Sequence, residues 1–334
     1  MAERLYLGID LGTYQSTISS SAGKMHTIET VVGKPKDPVA RNMLGRDVLF
    51  GAEALEKKLA CNIYRPMAAG VAQDDESNLA AAKAFVTHLI ESVDPEEFDE
   101  VYGVICSPSH ITFTDKSNLV ATLRGQVNAI MVVSEPFATG FDQDQYMGSI
   151  VVDIGAGTTD IARLYGTFPN ESDEDTVLEA GDWLDVILMD LVSKKYTGAQ
   201  LTKDMVRLWK EKYSYVGGDD RECMVELSVE GKKNVVDIGD IIRQGCEQLI
   251  PYVVNGVKTI IATADPEYQP QFRNNIILSG GGSMIEGVAD MVADQLADIG
   301  DVRVWCVENP IESVASGALK LAGVMPDDQY TAIN

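Results

Sequence analysis

One short phrase occurs twice in this chain, and the repetition constrains its fold more than any other feature. Near the start it reads Leu7-Gly8-Ile9-Asp10-Leu11-Gly12-Thr13; near the middle it reads Val152-Asp153-Ile154-Gly155-Ala156-Gly157-Thr158-Thr159-Asp160. Each copy is an apolar strand that delivers an aspartate into a glycine turn, with hydroxyl residues directly after it. Glycine puts no Cβ in the way, so backbone N–H groups can close around phosphate oxygens. An aspartate at such a turn can hold a divalent cation through water. Two turns of this kind facing each other would grip one nucleoside triphosphate from both sides, which points to ATP. Standing alone, either turn reads equally well as an ordinary hairpin.

The segments downstream of each copy repeat as well. After the first, period and punctuation predict strands at 16–20 and 24–31, then helices near 52–61 and 77–92. A strand at 101–106, a helix at 114–126, a strand at 130–133 and a helix from Pro136 complete that half. After the second come strands at 161–165 and 176–180, helices near 183–195 and 203–213, and a strand at 223–229. A long helix near 236–264, a strand at 275–278, a helix at 283–297, a strand at 302–306 and a helix near 312–322 finish the chain. The shared order is hairpin-linked strands, then helix, strand, helix, strand, helix, which is duplication at the scale of a domain.

A chain of 334 residues is long enough for two domains with a core each. No stretch approaches the roughly 20 apolar residues that span a bilayer, and no signal-peptide pattern precedes Leu5. The cysteines (Cys61, Cys106, Cys223, Cys246, Cys306) are odd in number and far apart, and His26, His88 and His110 are equally scattered. That pattern suits a reduced, cytoplasmic protein with packed thiols, and it argues against zinc or a Cys–His nucleophile.

Charge excludes a further class. Lys and Arg number 27 against 51 Asp and Glu, a net charge of -24, and no basic cluster is present to displace counterions from nucleic acid. An anionic nucleotide must then be held by backbone N–H groups and Mg²⁺. The acidic runs at 74–76, 94–100 and 171–175 read as solvated loop faces or, failing that, as partner contacts. Salt or divalent cations, by screening repulsion, should promote self-association.

Three more segments fit a nucleotide site. Ile276-Ile277-Leu278-Ser279-Gly280-Gly281-Gly282-Ser283 is an apolar strand ending in a glycine triplet, where a flat ring or ribose phosphate can lie on the backbone and Ser283 can cap the next helix. Val132-Val133-Ser134-Glu135-Pro136-Phe137 puts a carboxylate at a strand end, placed either to favour the helix dipole or to orient an attacking water. In the last helix Ala315, Ser316, Gly317 and Ala318 permit close packing, either at a crossing between domains or in a plain core.

Taken in order, these motifs resemble the actin superfamily over nearly the full chain, from Leu5 to Ala322. The resemblance implies an α/β, actin-like ATPase fold: two duplicated ribonuclease-H-like domains with nucleotide in the cleft between them. Domain I would comprise 1–145 plus 310–334, with an insert near 32–72; domain II would comprise 146–309, with an insert near 181–235. Within the superfamily the wording is similar to the MamK family of magnetosome-associated bacterial actins, related to MreB. The similarity lies in Val31-Val32-Gly33-Lys34-Pro35-Lys36-Asp37, Leu44-Gly45-Arg46, Tyr213-Ser214-Tyr215-Val216-Gly217 and Pro266-Glu267-Tyr268-Gln269. The first strand begins too early to leave room for the amphipathic membrane helix of many MreB chains.

Carried over residue by residue, the resemblance implies that Asp10 and Asp153 hold Mg²⁺ through its water shell. Gly12, Thr13, Gly155, Gly157 and Thr158 would bind phosphate oxygens, and Glu135 with Asp153 would serve the attacking water. Gly280, Gly281, Gly282 and Ser283 would form the adenosine pocket. Lys210 aligns with a nucleotide-site lysine, and Arg207 stands where MreB-like chains carry a ribose-binding Glu. The implied activity is slow ATP hydrolysis coupled to a head-to-tail filament, in which hydrolysis times changes in subunit contacts after assembly. Such a filament would be cytoplasmic and organise an organelle through adaptor proteins, without direct contact to nucleic acid and without membrane insertion. The segments 39–49 and 168–179 are candidate insert loops. Two other classes share the fold: a non-polymerising ATPase like the nucleotide domain of heat-shock chaperones, and a small-molecule kinase. No peptide-binding domain follows Ala322, only the tail 323–334, and no acceptor-side base stands out beyond Asp153 and Glu135.

Overall fold

Alternating apolar residues and tight glycine turns fold the first thirty residues into an antiparallel ribbon of three strands, Arg4–Leu11, Gln15–Ser20 and Met25–Glu29. The structure is a computed structural model describing residues 3–68, 71–72 and 76–333; the acidic pair at 74–75 lies outside the described residues. The chain divides into two compact units, Met1–Tyr146 with Ile311–Asn334, and Met147–Pro310.

In the first unit, strands Glu100–Ser107 and Ala129–Ser134 add in parallel beyond Arg4–Leu11. The tail supplies a sixth strand, Thr331–Ala332, antiparallel to Ala129 and Ile130 at the edge. Leu5, Leu7, Ile9, Ile105, Phe85 and Leu89 are buried together between this sheet and the helix Glu76–Glu91. The terminal helix Ser313–Ala322 packs against the Arg4–Leu11 strand, and glycine makes the approach possible. A Cβ on Gly8 would lie 2.1 Å from the Ala315 carbonyl oxygen, and one on Gly317 would lie 1.8 Å from that of Ala138. The small-residue stripe of this helix therefore serves core packing inside one unit.

The second unit repeats the plan. The ribbon Met147–Ile154, Thr159–Tyr165 and Glu174–Val177 is extended in parallel by Ile276–Ser279 and Val304–Cys306. Numbered within each half, the strand order is third, second, first, fourth, fifth in both sheets, so the repeated phrase marks repeated topology. Each half also carries a small three-stranded sheet. The first contains Val32–Pro35, Leu49–Phe50 and Cys61–Tyr64; the second contains Ala199–Gln200, Met224–Val229 and Lys232–Asp237.

Several expectations are corrected. The single helix expected near 236–264 is a strand, Lys232–Asp237, followed by two helices, Gly239–Glu247 and Ile250–Ala262. Val235 and Val236 pair across a hairpin with Glu226 and Val225, and Pro251 has no N–H to continue a helix through Glu247. The segment 39–49 is not a loop throughout. Asp37 accepts from the Ala40 amide at 2.8 Å and caps the helix Pro38–Leu44, which Gly45 ends in the left-handed region. The helix expected at 283–297 starts only at Val288, after a 3₁₀ turn Gly281–Met284. No described helix is long and apolar enough to cross a membrane.

Candidate functional site

Both repeated turns close as the sequence implies, each by its own bonds. In the first, Leu11 pairs with Ser16 across residues 12–15, and Asp10 lies opposite Thr17. The Thr30 hydroxyl donates to the Gly12 carbonyl at 2.8 Å, and a Cβ on Gly12 would sit 2.3 Å from the Gln15 carbonyl oxygen. In the second, the Gly155 amide donates to the Thr158 carbonyl at 2.9 Å. That N–H is spent on closing the turn, which leaves the amides of Ala156 and Gly157 at its tip. Thr158 is buried, and Thr13 is half-buried.

The parallel strands of each sheet bring the remaining motifs to their carboxyl ends, where open α/β sheets bind ligands. In the first unit Asp10, Cys106 and Val133 lie level across three strands. Glu135 comes two residues later as the first residue of the helix Glu135–Asp142, with Pro136 behind it. Asp10 and Glu135 therefore share one end of one sheet. Glu135 is 9% exposed. Asp10 is half-buried, and its withdrawal from water pushes the carboxyl up to about 7, since that disfavours the charged form.

In the second unit Asp153 lies level with Ser279 on one side and Asp160 on the other. The Thr176 hydroxyl donates to Asp160 Oδ1 at 2.6 Å. The glycine triplet crosses directly over this place. A Cβ on Gly280, whose φ is +71°, would lie 2.6 Å from both Asp153 Oδ1 and the Ile154 carbonyl oxygen, and one on Gly282 would lie 2.2 Å from Ile154 Cγ2. Gly281 is exposed. Ser283 does not cap the following helix; its hydroxyl turns back to the Gly280 carbonyl at 2.8 Å, and Gly287 occupies the N-cap position.

Lys210 also lies beside the second turn. Its Nζ donates to the Gly181 carbonyl at 2.7 Å and pairs with Asp185 Oδ1 at 2.6 Å. Gly181 and Asp182 in turn donate their amides to the carbonyls of Gly155 and Ala156, at 3.0 and 2.7 Å. Sequence reasoning singled out Lys210 and noted Arg207, but not Asp182, Asp185 or Lys203, nor that the three cations share one face of the helix Lys203–Tyr213. The available signal was Lys203, Arg207 and Lys210 at i, i+4 and i+7.

Among the described residues no group of three or more His, Cys, Asp or Glu could ligate a metal directly. One aspartate per turn fits a cation held mainly through water. Glycine at 280 lets the main chain pass close against Asp153, where any side chain would meet the carboxylate.

A duplicated five-strand unit with an aspartate–glycine turn in each copy defines an actin-like fold. A family model described as MreB/Mbl protein matches residues 4–329. The chain is 35% identical over 328 residues to the actin-like protein MamK of Paramagnetospirillum magneticum, covering 98% of this chain and 94% of that one. The chain belongs to the MreB/Mbl family, among its MamK-type members. It superposes on a solved MamK double helical filament with a TM-score of 0.94 at 35% identity, covering 97% of this chain and all of the other. A non-polymerising MamK mutant bound to AMPPNP gives a TM-score of 0.75 at 34% identity, with the same coverage.

Proposed function

We propose that this protein is a filament-forming bacterial actin homologue that assembles head to tail with ATP and hydrolyses it slowly to drive filament turnover. The observation that carries the reading is the pair of aspartate–glycine turns, each at the carboxyl end of its parallel strands, with Glu135 at the same sheet end as the first and the glycine triplet against Asp153 of the second. AMPPNP bound to a relative of similar length and fold supports ATP as the ligand, and the filament structures support self-assembly.

In this reading Asp10 and Asp153 would hold Mg²⁺ through water, and the ion would supply charge neutralisation on the phosphates. Gly12, Thr13, Gly157 and Thr158 cradle phosphate oxygens, with Gly155 closing its turn. Gly280 and its neighbours give the adenosine a flat backbone to rest on. Glu135, held at a helix start, orients water for in-line attack at the γ-phosphate. Phosphoryl transfer needs positioning and charge stabilisation more than covalent help, so this small set suffices. A single carboxylate acting on water suits a slow clock rather than rapid turnover. The filament would lie in the cytoplasm and position an organelle such as a magnetosome, recruited by an adaptor whose basic surface complements the acidic chain.

Sedimentation with Mg-ATP, Mg-ADP and no nucleotide, with pellets viewed by negative stain, tests the reading. ATP-dependent filaments are expected; a chain that binds ATP yet stays soluble over a wide range of concentration and salt would refute it. Glu135→Ala and Asp153→Ala should slow phosphate release and prolong the life of ATP polymers, and wild-type hydrolysis by either variant would remove that residue's role. Adaptor capture that is indifferent to salt would remove the electrostatic account of recruitment.

A further inference from the structure

The second phosphate turn is held from behind by a buried ionic lock. The Gly181–Lys195 helix starts by donating the amides of Gly181 and Asp182 to the carbonyls of Gly155 and Ala156. Its first turn and a half presents three acceptors to the neighbouring Lys203–Tyr213 helix: the Gly181 carbonyl, Asp182 and Asp185. That helix answers with three cations on one face. Arg207 places Nε and Nη2 at 2.8 and 2.7 Å from Asp185 Oδ2 and also reaches Asp182. Lys210 bridges Asp185 and the Gly181 carbonyl. Lys203 meets Asp182 at 3.0 Å from the outside.

Asp185 is fully buried and Arg207 nearly so. Burying such charges is a poor way to gain stability, because desolvation offsets most of the attraction and apolar side chains of similar size pack as well. What the arrangement does supply is geometry. A guanidinium fork admits one orientation between two carboxylates, and the lock ends on the two carbonyls that shape the phosphate turn. A Cβ on Gly181 would come within 3.2 Å of the Gly155 carbonyl oxygen and 3.3 Å of Lys210 Nζ, so turn, helix start and lysine are in mutual contact.

We propose that Asp185, Arg207 and Lys210 are positioning residues for ATP hydrolysis, holding the second phosphate turn in its reactive shape and transmitting to it the placement of the Lys203–Tyr213 helix. The proposal rests on reading that turn as part of an ATPase site. It means that a contact made on this insert helix changes the hydrolysis rate without touching nucleotide. Lys210 then acts through the turn rather than on the ribose.

The test compares wild type with Arg207→Lys, Arg207→Met, Asp185→Asn and Lys210→Met. Two readouts are taken: steady-state phosphate release against ATP concentration, and amide hydrogen exchange at Gly181 and Asp182 without nucleotide. Displacing a positioning element by a fraction of an ångström to an ångström lowers kcat by about 5- to 50-fold, and KM should stay within about twofold of wild type. Exchange at both amides should accelerate in all the variants. Arg207→Lys, which keeps the charge but not the fork, should fall between wild type and Arg207→Met. Unchanged kcat with unchanged exchange would overturn the lock. An increase in KM alone in Lys210→Met would overturn its positioning role and make it a nucleotide contact. If wild type releases no phosphate, the ATPase reading falls, and the exchange readout then judges the lock by itself: acceleration sustains it and constancy refutes it.

Discussion

Gly317→Ala adds one methyl group at a place where two backbones meet. The new Cβ would stand 1.8 Å from the Ala138 carbonyl oxygen, 2.6 Å from its carbon and 3.0 Å from the Asp142 amide nitrogen, whereas ordinary contact begins at 3.4 Å. The terminal helix and the Glu135–Asp142 helix must therefore separate by about 1.6 Å, the difference between those distances. No flexible side chain can give way, because the obstacle is main chain. Overpacking of this kind costs up to about 3 kcal/mol, and replacing a glycine inside a helix returns up to about 1 kcal/mol. The net loss is about 2 kcal/mol, which for a unit of this size lowers Tm by roughly 4–8 °C. Because the displaced helix begins with Glu135, phosphate release should fall as well. Gly323→Ala is the matched control on the same helix. Gly323 is exposed, its φ is −71°, and the nearest obstacle is the Lys320 carbonyl oxygen at 3.6 Å, so its melting should match or slightly exceed wild type. Thermal unfolding recorded by circular dichroism gives both numbers. A Gly317→Ala protein that melts with wild type would refute the close-contact argument and the placement of the terminal helix with it.

Three further expectations concern groups wholly or partly withdrawn from water. The folded-state value of Asp10, about 7, lies above its unfolded value. Its contribution to stability without Mg²⁺ is therefore present at low pH and lost as pH rises from roughly 4 to 7; Asp10→Asn should flatten that decline in melts recorded with chelator while abolishing Mg-nucleotide binding, and an equally steep decline would contradict it. Arg163 and Asp173, both buried in the second unit and 2.8 Å apart, are joined by Arg163 bonds to the Ile260 carbonyl, Thr263 and the Ser172 carbonyl. Asp173→Ala strands the guanidinium and should cost about 3–5 kcal/mol in chemical denaturation, whereas a loss under about 1 kcal/mol would show the site to be wet. Cys61, Cys106, Cys223 and Cys246 are buried, Cys306 is half-buried, and burial pushes the Cys246 thiol up to about 12. Native protein at mildly alkaline pH should react slowly with a thiol reagent, Cys306 first, and release all its thiols only on unfolding.

Chemistry confined to a few neighbouring residues was legible from the chain itself. Both aspartate–glycine turns, the strand that ends in Gly280-Gly281-Gly282 and the helix begun by Glu135-Pro136 depend on sterics within three or four positions, and they form where the pattern puts them. The duplication was legible for the same reason, since each half repeats its own local pattern and both sheets order their strands alike. Apolar periodicity failed where a run admits two structures. Val235 and Val236 become strand because a hairpin partner at Val225 and Glu226 is available, and only then does the helix start at Gly239. Ser283 keeps its hydroxyl for Gly280, because the triplet bends over Asp153 before any helix begins.

By itself the sequence determined the local units, their repetition and the kinds of group they present to a nucleotide. Tertiary structure alone decided which units meet. It placed Asp10 level with Val133 and two residues short of Glu135, seated the glycine triplet beside Asp153, and drew the tail strand Thr331–Ala332 onto Ala129 and Ile130. It also set Arg207 and Lys210 on Asp185, which lies on a different helix and shares neither motif nor period with them. Contacts of that kind depend on loop closure and the burial of whole faces, and those energies are properties of the folded chain rather than of any short stretch of it.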